Sequence, residues 1–378
     1  MQGKYTNDFA TYDIFFYLWP MSLWRIFLLP FALLYGLGVW FRHLFFDWGI
    51  LPSESFSVPV ISVGNLSTGG SGKTPHVEYL VRLLKPHFRI AVLSRGYKRR
   101  TSGYRLADAH CGPAEIGDEA LQVHKKFPDI LVAVHESRRR GIRRLLNDHP
   151  ETQVIILDDA FQHRYVRPGL NLLLTEYYNP FFRNFLFPVG NLRESKQRAR
   201  RADALLVTKA PAVFSPLDRR FFLKQLQAYK LKKVFFSSLS YGEWKALAPG
   251  TPACKPPDIK TIFLLSGIAR TEALEEHLKT QCQELFIHKY RDHHQFTTSN
   301  LHKLRKHFQR TISHSKVVVT TEKDAMRLLD ADKQKILEGM PVYYVPVEVF
   351  FQGPDKEGFD QMVFKLAGHQ VPPAFPGT

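Results

Sequence analysis

Apolar positions along this chain follow two patterns. Residues 14–41 carry a single charge, Arg25, and their densest part, 26–41 (IFLLPFALLYGLGVWF), closes on Arg42 and His43. Sixteen residues fall short of the roughly 20 needed to cross a bilayer as a straight helix. Adding 14–24 supplies the length but puts Arg25 near the centre, at an insertion cost of about 2.5–3.5 kcal/mol that several Leu, Ile and Phe offset. Pro20 and Pro30 count against one unbroken helix. The pattern predicts an N-terminal hydrophobic, membrane-associated segment over 1–45, lying in or dipping into the interface with Trp, Tyr and Arg at headgroup level. A buried core helix is the alternative. A cleaved signal peptide fits poorly, since little positive charge precedes the run and no A-x-A site follows. Met21 is a second candidate start.

From Val58 the pattern changes to short β-branched runs, each ending in a polar loop and followed by a helical stretch. VPVISVGN (58–65), RIAVLSRGY (89–97), ILVAVH (130–135), VIILDDA (154–160), NLLLTE (171–176) and ALLVTK (204–209) read as strands. Continuous apolar runs alternating with helices indicate a parallel sheet covered on both faces. A second set follows: VFFSSLSY (234–241), TIFLLSGIA (261–269), ELFIHKY (284–290), KVVVTTEKD (316–324) and VYYVPVEV (342–349). The Pro-rich 246–258 stretch reads as a loop and 368–378 as a loose tail. The fold class is therefore α/β: a P-loop NTPase-like, mainly parallel sheet domain over 46–225 and a smaller α/β domain over 226–378.

Composition narrows the partner. The chain is 44% hydrophobic and 23% charged, a globular balance. Lys and Arg number 52 against 35 Asp and Glu, a net charge of +17, which calls for an anionic partner. Thirty phenylalanines favour lipid or a large apolar site over nucleic acid. Cys111, Cys254 and Cys282 are scattered and odd in number, so neither a disulfide framework nor a zinc site is supported.

GNLSTGGSGKTP (64–75) carries the strongest chemistry. Gly69, Gly70, Ser71 and Gly72 let backbone N–H groups turn toward phosphate oxygens. Lys73 reaches the β- and γ-phosphates, and Thr74 offers a hydroxyl to Mg²⁺ at the start of a helix. Ser67 stands where the P-loop consensus has Gly. A buried strand ending in Asp158-Asp159 suits a Walker-B carboxylate for the same cation. These elements specify a nucleotide- and Mg²⁺-dependent enzyme and leave the acceptor open. Thr208-Lys209-Ala210-Pro211 lacks the Asp of a guanine-reading motif. No aromatic-rich nucleic-acid signature appears. Two reactions stay open on the residues alone: a kinase acting on a membrane-associated acidic substrate, and a regulatory P-loop NTPase acting on a protein partner.

In order along the chain stand GNLSTGGSGKTP, LSRGYKR (93–99), GDEA (117–120), ILDDAFQHR (156–164), PVGNLRES (188–195), SGIA (266–269), RDHHQF (291–296) and VTTEKDA (319–325). Together they resemble the tetraacyldisaccharide 4′-kinase (lipid A 4′-kinase) family over about 22–370. That family's pattern also has a non-Gly residue at position 67. Ala160, Ala120, Val189 and Asn191 depart from its usual residues, and none removes a reactive group.

The resemblance implies transfer of the ATP γ-phosphoryl to the 4′-hydroxyl of an acylated glucosamine disaccharide 1-phosphate. The setting it implies is the anionic cytoplasmic face of the bacterial inner membrane, with neither nucleic acid nor a stable protein partner. It implies Asp118 as the base, with His293 paired to it from the second domain. It implies Lys73 and Arg193 on the transferring phosphoryl group, and Thr74, Asp158, Asp159 and Glu119 around Mg²⁺. Gln162 and Glu194 match further active-site positions, while His163, His294 and Asp324 are weaker matches. Two patches stay outside these assignments. The arginines of 137–144 read as a solvated helix face or a headgroup site, and the aromatic 177–188 stretch reads as an acyl-chain or membrane contact or a local apolar cluster.

Overall fold

A computed structural model describes residues 23–211, 213–248 and 259–368. Residues 1–22, with the Met21 question, most of the Pro-rich loop and all but the first residue of the expected loose tail lie outside it. A 3₁₀ turn, Leu23–Leu28, leads into α1, Leu29–Asp47, with Pro30 in the first turn, where its missing N–H costs no helical bond. The helix is therefore unbroken from Leu29.

The main sheet has nine strands: β1 Val60–Asn65, β2 Ile90–Ser94, β3 Arg105–Leu106, β4 Leu131–Val134, β5 Val154–Asp158, β6 Leu170–Glu176, β7 Ala204–Thr208, β8 Val234–Tyr241 and β14 Val347–Phe351. Their spatial order is β14-β8-β7-β6-β1-β5-β2-β4-β3. All neighbours are parallel except the two edge strands, β3 against β4 and β14 against β8. Helices α2 Lys73–Leu84, α3 Asp118–Lys126, α4 Arg138–Asp148 and α5 Pro216–Leu226 cover it.

The second sheet has the order β11-β10-β12-β13-β9. It comprises β9 Lys245–Ala246, β10 Thr261–Ser266, β11 Glu284–Lys289, β12 Lys316–Thr321 and β13 Val342–Val345, with α6 Glu272–Lys279, α7 Thr298–Arg310, α8 Glu322–Met326 and α9 Ala331–Leu337. Its core gathers Phe263, Leu265, Phe296, Leu301, Leu304 and Val318.

Two runs behave otherwise than their pattern predicts. VYYVPVEV is not one strand: Pro346 divides it into β13 and β14, which belong to different sheets. Proline has no N–H to give a ladder, so pairing stops there. The end of KVVVTTEKD turns into α8, capped by Thr321, whose hydroxyl accepts from the Asp324 amide.

The chain thus leaves the main sheet after β8 and re-enters it at β14, with α10 Asp355–Ala367 packing beside both. The boundary expected at 225/226 precedes β8, a strand of the main sheet. The two connections touch where the Gly242 amide donates to the Pro346 carbonyl at 2.9 Å. Phe351, Phe359, Val363 and Phe364 pack over the outer face of α2, and the Tyr79 hydroxyl donates to Asp360 at 2.7 Å.

Candidate active site

The P-loop leaves the carboxyl end of β1, and Asp158-Asp159 leave that of β5, its parallel neighbour with Val63 beside Asp158. Ligands of open α/β sheets bind at this edge. Gly72 caps α2 in the left-handed region at φ 79°, so glycine is required there. A Cβ on Gly64 would stand 2.6 Å from the Phe161 nitrogen, so glycine also lets β1 pass the loop after β5. Asn65 donates to Ser71 Oγ at 2.9 Å, and the Thr208 hydroxyl donates to the Ser71 carbonyl at 3.0 Å. Both fix the loop from beneath.

Lys73 and Arg193 converge on Asp159. Lys73 Nζ lies 3.5 Å from Oδ1, and Arg193 Nη1 lies 3.1 Å from both oxygens. Burial works to raise the Asp159 pKa, and these two cations hold it below the usual value. Gln162 donates to the Asn65 carbonyl at 2.8 Å, and its oxygen stands 3.5 Å from Arg193.

Asp158 is different. Burial first, then the Glu119 and Asp159 charges, push its pKa up to about 7. Its Oδ1 is buried with no hydrogen-bond partner among the described residues. A buried unpaired carboxylate oxygen is costly, and a cation relieves that cost. Among the described residues no three side chains converge as a protein-only cage. Mg²⁺ commonly takes one or two carboxylates with phosphate oxygens and water, so the hard oxygen donors Asp158, Asp159, Glu119 and Thr74 fit it.

The second sheet approaches through α3 and α8. Asp118, Gln122 and Lys126 recur every four residues on one face of α3, and each meets α8 or the residue just past it. Arg327 clasps Asp118 Oδ2 with Nε at 2.7 Å and Nη2 at 2.6 Å. Lys323 pairs with Glu119 at 2.9 Å and stands 3.2 Å from His293 Nε2. Glu322 accepts from Gln122 at 3.2 Å and from Lys126 at 2.9 Å. His293 Nδ1 lies 3.6 Å from Asp118 Oδ2, beyond hydrogen-bond length, and 3.2 Å from Arg327. Burial works to raise the Asp118 pKa, but the His293, Arg327 and Lys323 contacts hold it below the usual carboxylate value.

The structure therefore gathers Lys73, Thr74, Glu119, Asp158, Asp159, Gln162 and Arg193 at the sheet edge, with Asp118 and His293 beside them. Glu194 does not join them. Its carboxylate is 2% exposed and pairs with Arg201 at 2.6 Å and His43 at 3.3 Å. His294 bonds Asn300 at 2.8 Å and stacks on Tyr290, away from the phosphate loop. His163 is held neutral, its pKa lowered to about 4 by burial and then by Arg138.

The arginine run at 137–144 divides. Arg143 and Arg144 make surface pairs with Glu54 and Asp148, whereas Arg138 is buried and donates to the Asp158 carbonyl at 2.8 Å. The aromatic stretch also divides. Phe181 and Phe182 enter a cluster with Phe222 and Phe236, while Tyr178, Phe185 and Phe187 are exposed.

Helix α1 is attached along one side, from Tyr35 to Asp47. Arg42 donates to the Gln162 carbonyl at 3.1 Å, Asp47 pairs with Arg164 and Arg198, and Tyr35 donates to the Arg193 carbonyl at 2.9 Å. Phe27, Phe31, Leu33, Leu34, Leu37, Trp40 and Phe41 face outward. It is long and apolar enough to cross a membrane, and little of it is buried.

Residues 24–367 match the family model described as tetraacyldisaccharide-1-P 4′-kinase. The tetraacyldisaccharide 4′-kinase of Parabacteroides distasonis is 42% identical over 346 residues, covering 89% of this chain and 93% of that protein. The same enzyme of Flavobacterium psychrophilum is 41% identical over 347 residues, covering 91% and 97%. The fold is similar to the "apo" form of LpxK from Aquifex aeolicus in complex with ATP, with a TM-score of 0.70 and 28% identity, over 90% of this chain and 99% of that one.

Proposed function

The chain belongs to the tetraacyldisaccharide 4′-kinase family and transfers the γ-phosphoryl of ATP to the 4′-hydroxyl of tetraacyldisaccharide 1-phosphate in lipid A biosynthesis; from that premise we propose how its residues divide the work. Membership sets aside the regulatory NTPase.

Phosphoryl transfer passes through a loose transition state, so positioning and charge neutralisation carry most of the catalysis. The P-loop amides and Lys73 hold the phosphates and Arg193 neutralises charge on the transferring group. Asp158 and Thr74, with Asp159 or Glu119 directly or through water, would hold Mg²⁺, which would neutralise phosphate charge. Gln162 orients the loop between Asn65 and Arg193. Asp118 accepts the 4′-hydroxyl proton as the oxygen attacks, and His293 flanks it. A carboxylate below its usual pKa suffices here, because a loose transition state needs the proton removed late.

The two sheets act as two units, the first holding nucleotide and the second completing the acceptor side through His293. The outward face of α1 lies in the interfacial layer of an anionic membrane, on the cytoplasmic side where ATP and the lipid meet. The observation carrying this reading is the junction itself: Asp118 stands between the phosphate-binding edge and the second unit. The test is transfer from γ-labelled ATP to tetraacyldisaccharide 1-phosphate in detergent micelles with Mg²⁺. Labelled lipid that vanishes in Asp118→Ala and Lys73→Ala supports it, and nucleotide hydrolysis without labelled lipid refutes it.

A further inference from the structure

Arg327 is fully buried, comes from the second unit, and has no part in the mechanism above. Nε and Nη2 both converge on one oxygen of Asp118, Oδ2. Among the described residues no hydrogen bond reaches Oδ1. Arg327 is itself pinned: Nη1 donates to Asp324 Oδ1 at 2.6 Å and to the Gly267 carbonyl at 3.2 Å. Asp324 Oδ2 in turn accepts from Thr321 Oγ1 at 2.8 Å and from the Gly267 amide at 2.9 Å. The ends of β10 and β12 thus set the guanidinium plane, and the guanidinium sets the carboxylate.

We infer that Arg327 is a positioning residue for the acceptor: it occupies one oxygen of Asp118 and turns the other toward the 4′-hydroxyl. The inference rests on reading Asp118 as the base. Asp118 is the first residue of α3, and its carboxylate turns about its own χ angles, a torsion the helix backbone does not fix. A proton acceptor must come within about 2.6–3.2 Å of the hydroxyl it serves. A carboxylate free to rotate spends much of its time aimed elsewhere. Only a planar fork can address Asp118, Asp324 and Gly267 at once; an ammonium is a point donor. Buried ion pairs add little net stability, so fixed geometry is what this one supplies. Because Arg327 lies across the junction, the base is aimed only while the two units are together.

A double-mutant cycle in steady-state transfer tests this, with kcat and both KM values measured for Asp118→Asn, Arg327→Gln and the pair, and Tm for each. Asp118→Asn is expected to lower kcat by about 10²–10⁴-fold. Arg327→Gln is expected to lower kcat by at least about tenfold with the KM for ATP unchanged, and the pair to be no slower than Asp118→Asn alone. Arg327→Lys keeps the buried charge and serves the same cycle where Arg327→Gln fails to fold; its kcat falls while its Tm stays near wild type. Losses that multiply in the pair, or KM values that rise with kcat intact, make Arg327 mere interface glue and overturn the inference. Full kcat in Asp118→Asn overturns the base reading and the inference with it, an outcome distinct from both.

Discussion

Lys126 Nζ lies 2.7 Å from Glu78 and 2.9 Å from Glu322, so one ammonium ties the P-loop helix α2 to the first residue of α8. Glu78 is buried. Burial, then the Glu322 charge, raise its pKa, against the pull of Lys126. Lys126→Met leaves two buried carboxylates facing each other, and removing one partner of a buried pair costs about 3–5 kcal/mol. Denaturant unfolding should show a loss of that order. Adding Glu78→Gln should restore part of it by removing the like charge; no recovery would mean the two carboxylates do not interact.

His76 makes stability depend on acid. Its Nδ1–H donates to the Gly72 carbonyl at 2.7 Å and its Nε2 accepts from Ser237 at 2.9 Å. Burial lowers its pKa from 6.5 to about 4, against the Gly72 bond. The unfolded chain then takes the proton first as pH falls, so this contribution is whole above pH 6.5 and is lost toward pH 4. At pH 5 the loss is about 2 kcal/mol. Thermal melts at pH 7.5 and pH 5 should differ more in the wild type than in His76→Gln. Equal differences would remove His76 from the acid response.

Asp158 opposes stability to serve binding. With a pKa of about 7, its charged form is disfavoured in the folded chain, and the burden grows as pH rises from 3.8 to 7. Asp158→Asn should raise Tm at pH 8 in the absence of metal and leave it nearly unchanged at pH 4. The same variant should lose the extra rise in Tm that Mg²⁺ gives over ATP alone. A Tm that falls at pH 8 would contradict the burial argument.

Much of the first unit is legible in the sequence because its signals are local. A β-branched run, a glycine loop and a helical stretch place β1, the P-loop and α2 without help from the rest of the chain. What escapes depends on pairing across distance. Arg193 and Glu194 are adjacent, yet one meets Asp159 and the other Arg201 and His43, because the chain bends at these two residues and sends their side chains different ways. Arg138 hides in a run of arginines that reads as surface. Arg327 is one more cation in a charged stretch, four residues after Lys323, and its signal is its place three residues beyond Asp324, the spacing of a helical ion pair.

The α1 surface should bind lipid by area and charge together. Phe31→Ser with Leu34→Ser removes two exposed side chains, each contributing about 1.5–3 kcal/mol when buried. Co-sedimentation with vesicles containing phosphatidylglycerol should fall at least about tenfold. Wild-type binding to purely zwitterionic vesicles should be weaker, and added salt should narrow the gap. Unchanged sedimentation of the double variant would place the membrane contact elsewhere.

The division at Pro346 also governs the order of synthesis. The second sheet is complete by residue 345, but β14 and α10, which cover the outer face of α2, leave the ribosome last. His76 and Tyr79, on the face of α2 that meets Phe351 and Phe359, must wait for the final stretch of chain before they are sealed from water. A chain truncated after 345 should therefore keep a protected second sheet while its α2 turns protease-sensitive, because the cover over α2 is made only by the last residues of the chain.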